Sequence, residues 1–250
     1  MATAITDPRK PVGQAATLPG RRFDHIFFSA MALLILATVF LGFARTYYLA
    51  GLFQAKLPSP IIHIHGAVFS CWILLLVTQT SLVSAGRVDI HRRLGIAGFL
   101  LACLMVVLGT LAATNALVRG FPPDGDAKLV YFISITDMLI FATLVGFAFR
   151  NRSNPAVHKR LILIATIALL IAPVIRWPFA IVHGKELMAT LFSYVFLVIL
   201  VGYDLWSTYK VHRATLWAGA FLILVQLIRV PIGKTALWHE IADWVQSLAR

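Results

Sequence analysis

The chain has 250 residues, of which 60% are hydrophobic and only 13% charged, with a mean hydropathy of +0.85. Soluble domains carry about 45–50% apolar and about 25% charged residues, so a soluble globule is excluded. The net charge of +12 could suit a nucleic acid. The basic residues, however, fall in short connections between apolar blocks, which is how they orient a membrane protein, so no nucleic-acid partner is expected.

Residues 1–24 are expected to form a disordered cytoplasmic tail. The segment up to residue 22 is polar, with Pro8, Pro11 and Pro19 and no apolar run, and is no signal peptide. Apolar blocks of roughly twenty residues follow, the length that crosses a hydrocarbon core. They show no period-2 alternation, so an all-α polytopic transmembrane bundle is predicted over 25–232. Its seven spans are placed at 25–48, 61–83, 92–114, 129–149, 159–182, 187–207 and 214–231.

The first span ends at Arg45. The second starts at Pro60, with Ser59 placed to cap it. Its first turns carry His63 and His65, about 200° apart around the helix, and His65 is preferred as the inward one. The face from His65 runs on through Phe69, Trp72, Leu76 and Gln79.

His91 opens the third span, and a stripe of Gly95, Gly98, Ala102, Met105, Gly109 and Ala113 follows it. Small residues permit close helix packing, and equally a flat cofactor against the backbone. Cys71 and Cys103 lie mid-span as small core residues. Asp137 sits about 12 Å below the outer end of the fourth span.

His158 opens the fifth span, and helical stepping from it meets Ile162, Ala165, Leu169, Ala172 and Arg176, then His183 just beyond. This face is expected to turn inward, with Pro173 bending the helix. Arg176 is the expected partner of Asp137. In the sixth span Glu186, Thr190, Ser193 and Asp204 share a face, and Gln226 and Arg229 occupy the outer end of the seventh. Residues 233–250 are predicted as an amphipathic helix, lying either on the outer membrane surface or on the protein's own loops.

Orientation follows from charge. With the N-terminus inside, Arg9, Lys10, Arg21, Arg22, Arg87, Arg92, Arg93, Arg150, Arg152, Lys159, Arg160, Lys210 and Arg213 lie on the inner side, 13 of the 22 Lys and Arg. The bias favours a cytoplasmic N-terminus and a periplasmic C-terminus.

Two chemistries compete for these residues. Polar groups in lipid are costly and mark candidate sites. Histidines on facing helices can ligate a b-type haem. His91 with His158 would form an inner pair among Arg92, Arg93, Lys159 and Arg160, and His65 with His183 an outer one. Such a protein would pass electrons to a membrane protein partner or a quinone. The histidines equally suit interfacial anchors. The alternative is a carrier for a small anionic or lipid-like molecule, with an outer pocket of Asp137, Arg176, Gln79, Arg45 and Arg229 beside His65. An assembly factor or subunit of a larger membrane complex is a further alternative. A membrane enzyme is disfavoured, because His-Glu-x-x-His and Gly-x-Ser-x-Gly are both missing from the sequence.

The runs Arg45-Thr46-Tyr47-Tyr48-Leu49, His63-Ile64-His65-Gly66 with Trp72, Gln79 and Thr80, His91-Arg92-Arg93-Leu94-Gly95, Asp137 and His158-Lys159-Arg160-Leu161 together resemble a group of uncharacterised bacterial polytopic inner-membrane proteins. The general plan is similar to that of membrane b-type cytochromes, although their ligands sit well inside the helices. The resemblance implies a bacterial cytoplasmic membrane and supplies no activity.

Overall fold

The computed structural model describes residues 23–55, 59–123 and 125–249. The tail expected over 1–24 lies almost wholly outside the described residues. Backbone groups in lipid must bond within their own segment, and the apolar runs are helical accordingly. The helices are α1 (Asp24–Phe43), α2 (Pro60–Ser84), α3 (Val88–Val118), α4 (Ala127–Arg150), α5 (Pro155–Ile167), α6 (Ile171–Val174), α7 (Glu186–Thr208), α8 (Arg213–Gly233) and α9 (Ala236–Leu248). A π-helical turn, Ala44–Tyr48, prolongs α1.

Seven segments are long and apolar enough to cross a membrane, α5 and α6 together making the fifth. Leu100, Leu139, Val198 and Leu227 present bare apolar side chains on the outside of the bundle. The chain is a multi-pass integral membrane protein, and its surroundings are a lipid bilayer. Two-thirds of the fifth span's apolar window is buried, against 17% for the second. The fifth is therefore the central element, and the second faces lipid.

Local signals set the helix ends. Asp126 caps α4 by accepting from the Lys128 and Leu129 amides, Asn154 caps α5 at Val157, and Thr235 caps α9 at Trp238. Ser59 does not cap α2, contrary to the expectation. Its hydroxyl is buried without a hydrogen-bond partner, and Pro60 alone starts the helix.

The expected continuous fifth span is broken. Pro173 has no N–H for the Leu169 carbonyl. The chain tightens just before it, with Leu169 and Leu170 bonding three residues back to Thr166 and Ile167. Past α6 the chain turns through Arg176 and Trp177, whose indole N–H donates to the Thr38 carbonyl of α1. This crossing is backbone against backbone: a Cβ on Gly42 would overlap Pro173. Only glycine fits there.

The bundle has a near end, where α1, α3, α5 and α8 begin, and a far end, where α9 lies. Helix α9 packs on the protein's own far end. Trp238 and Gln246 donate to the Lys128 and Leu117 carbonyls, Lys128 pairs with Asp243 at 2.6 Å, and Ala242 is fully buried. Leu237, Ile241, Trp244 and Leu248 stay uncovered on its other side.

Candidate functional site

The near end holds the closest histidine pair. His91 in the first turn of α3 and His158 in the first turn of α5 meet with ring centroids 6.4 Å apart and planes at 85°. His158 Nδ1 lies 2.9 Å from the Ala148 carbonyl of α4. A carbonyl only accepts, so Nδ1 carries a proton and donates it here, and Nε2 is the nitrogen left to face a ligand. Gln79 of α2 donates its amide to the His91 carbonyl at 3.3 Å. Two polar atoms here, His91 Nδ1 and Gln79 Oε1, are buried without hydrogen-bond partners. Each such atom costs about 1–3 kcal/mol. Two imidazoles and an orphaned amide oxygen can take one metal centre or a hydrogen-bonding ligand between them.

Gln79 was expected in the far-end pocket. It stands about 29 Å along α2 from Pro60, and so belongs to the near end. Of the four cations expected to surround the pair, two are committed elsewhere. Lys159 Nζ holds Asp24 at 2.6 Å and caps the Phe28 ring. Arg160 is buried against Asp204, whose second oxygen accepts from Thr215 Oγ1 and the His212 amide. Sequence reasoning missed this clamp. Arg92 and Arg93 remain exposed beside the histidines.

The small-residue stripe of α3 serves packing. Leu75 fills the space over Gly98, Met138 fills that over Gly109, and Met105 is fully buried. No flat group lies against the backbone at those two glycines.

The far end separates into two clusters. In the first, Arg229 pairs with Asp137 at 2.6 Å and approaches Glu186 at 3.6 Å, and Gln226 adds a hydrogen bond to Asp137. Arg229 Nε, Gln226 Oε1 and the Tyr194 hydroxyl are buried without hydrogen-bond partners. In the second, Arg176 donates to the Ala172 carbonyl and covers the Phe43 ring at 5.1 Å. Among the described residues Arg176 has no carboxylate partner. The expected Asp137–Arg176 pair is thus replaced by Asp137–Arg229. The physical reason is the break before Pro173, which ends the helical phase connecting His158 to Arg176. Ala172 is accordingly exposed and not inward-facing.

His65 faces the interior, as preferred, its ring tilted against Phe69 with centroids 4.1 Å apart, with Nδ1 buried and unpartnered and Arg176 within charge range. His63 is held outside by Tyr47, whose hydroxyl donates to the His63 carbonyl at 3.0 Å. His183 is exposed and bonds the Trp177 carbonyl, and among the described residues no ring contact joins it to His65. Arg45 is also exposed, over Phe53 at 5.2 Å and away from the other cations. Outside the spans, burial and then the Arg160 charge lower the pKa of His212 below its usual 6.5. Its Nδ1 accepts the Ala214 amide and caps α8.

Comparison with known proteins finds no matching family, no similar curated protein and no similar solved structure.

Proposed function

We propose that the chain is a membrane redox protein that holds a b-type haem between His91 and His158 at the near end. The observation that carries this is the ring separation. His91 and His158, on facing helices, stand with ring centroids 6.4 Å apart, close enough that the two imidazoles would hold one metal centre between them. The bond from His158 Nδ1 to the Ala148 carbonyl supports the reading, since ligating histidines usually donate their other nitrogen in this way. A haem supplies one-electron redox chemistry. The chain's part is to orient the two rings from α3 and α5 toward one another. Arg92 and Arg93 neutralise acidic groups at the rim. The partner is a membrane protein or a quinone.

The near end carries the larger share of basic residues. This bias supports a near end that faces the cytoplasm, and the resemblance to bacterial inner-membrane proteins supports that membrane, with α9 in the periplasm. The test is an absorption spectrum of protein purified from haem-supplied cells, oxidised and then dithionite-reduced. A Soret band that shifts on reduction and vanishes in His91→Ala and His158→Ala is expected. A colourless protein, or pigment unchanged in both variants, overturns the assignment.

A second reading rests on the far end. Arg176, without a carboxylate partner, and His65, with its orphaned Nδ1, flank the broken fifth span. Broken spans build small-molecule sites in carriers. In this reading Arg176→Ala abolishes binding of a small anion, and normal binding in that variant sinks it.

A further inference from the structure

Between α4, α5 and α8 the near end opens sideways into a cleft of about 1000 Å³. Its floor is Leu144, Leu161 and Ala218, all buried, and its walls are Phe147, Trp217 and Phe221. The alanines Ala214 and Ala218 on α8 leave the trench, and the left-handed Tyr209 (φ 58°) turns the α7–α8 connection across its mouth. From Arg213 to Phe221 the lining runs about 12 Å along α8. Trp217 and Phe147 are more than half exposed, so the trench is open to the lipid side of the bundle.

The mouth differs from the walls. Lys210 and Arg213 stand there, exposed, and neither has an ion pair among the described residues. Asp204, the carboxylate nearest in sequence, is fully buried and neutralised by Arg160. His212, also at the mouth, adds no charge, because its ring accepts the Ala214 amide. The site therefore combines an apolar trench lying along the membrane with two uncompensated cations at headgroup level.

We infer that this cleft binds an anionic diacyl phospholipid, with an acyl chain along Phe147, Trp217 and Phe221 and the phosphate between Lys210 and Arg213. Charge complementarity selects this occupant. A neutral quinone gains nothing from two unpaired cations, a zwitterionic lipid gains less than an anionic one because its own ammonium offsets the phosphate, and a free anion gains nothing from the trench. Basic pockets between helices at the membrane surface recognise lipid phosphates in this way, each cation giving about a fivefold preference. The site is independent of the histidine pair.

The experiment uses the full chain in vesicles, with brominated acyl chains as quenchers of tryptophan fluorescence. Brominated phosphatidylglycerol is compared with brominated phosphatidylcholine of the same chains at equal mole fraction. The Trp217 share is read as the difference between the natural chain and Trp217→Phe. Phosphatidylglycerol is expected to quench that share at least about fivefold more effectively per lipid. The preference should vanish in the Lys210→Ser/Arg213→Ser double variant and survive in Lys210→Arg/Arg213→Lys, which keeps the charges. Equal quenching by the two lipids, or an unchanged preference in the serine variant, overturns the proposal. So does displacement of phosphatidylglycerol by an equal mole fraction of a short-chain quinone. Displacement by glycerol phosphate, which carries no acyl chain, would make this an anion site and overturns it as well.

Discussion

Single residues at the near end divide into those that hold the bundle and those that are left over. Asp204 belongs to the first group, accepting from Arg160, Thr215 and the His212 amide with no exposure at all. Removing its charge strands Arg160 in the interior. Asp204→Asn should therefore lose about 3–5 kcal/mol of stability, seen as a fall in the unfolding midpoint in detergent. An unchanged midpoint would mean that the pair contributes hydrogen bonds and no charge. His212 supplies a pH dependence. Because burial and Arg160 depress its folded pKa, the neutral form is favoured in the folded state. Its contribution is fully present above 6.5 and is lost as pH falls below that value through the lower folded pKa. Thermal stability should decline from pH 7 to pH 5, and the decline should be shallower in His212→Asn, which retains a capping side chain. His91 and Gln79 form the second group, each with a buried polar atom that the protein does not satisfy. Together with the facing ring of His158, these atoms mark one place where a ligand is expected.

Among the elements, the α1–α6 crossing is the tightest joint, with Gly42 against the Pro173 backbone. Gly42→Ala should destabilise by about 1–3 kcal/mol, because the added carbon meets backbone, which cannot rotate away. Gly146→Ala is the control. Nothing lies within 4 Å of its Cβ position, so better helix propensity should stabilise the chain by up to about 1 kcal/mol. Unfolding midpoints of the two variants measure the contrast. The same element shows why sequence reading succeeded and failed where it did. Apolar blocks of membrane length are insensitive to neighbours, so all seven spans were legible, five of them within two residues at each end, whereas the third extends four residues further at both ends and the fifth starts four residues earlier and stops at Val174. His65 over His63 was legible because two residues cannot share a helix face. Asp137 was recognised as a buried charge, yet its partner was assigned by extending an ideal helix through Pro173, where the real chain changes register. The Arg160–Asp204 clamp was hidden for another reason. A pair 44 residues apart leaves no local signature, and Arg160 sits in a basic run that reads as an orienting signal.

For the whole molecule, the proposed orientation can be checked without knowing the function. Ser153 lies exposed in the α4–α5 turn at the near end, and Ser247 lies exposed on α9 at the far end. In intact cells a membrane-impermeant thiol reagent should label Ser247→Cys and spare Ser153→Cys until the cells are opened. The reverse pattern would turn the protein over and place the histidine pair in the periplasm. The natural Cys71 and Cys103 are not the small core residues expected: both lie mid-span on exposed faces, towards lipid, where such a reagent does not reach.

The clamp between Arg160 and Asp204 also bears on biosynthesis. The fifth span leaves the ribosome before the chain that neutralises it exists. At about 5–20 residues per second, the 44 residues separating the pair take roughly 2–9 s to make. For that time Arg160, in the second turn of the emerging helix, has no carboxylate partner and keeps its charge at the membrane surface. The segment that becomes the most enclosed part of the bundle is thus made before its buried ion pair can form. A nascent chain halted between the fifth and sixth spans is therefore an intermediate whose central span still carries an unpaired arginine at its near end.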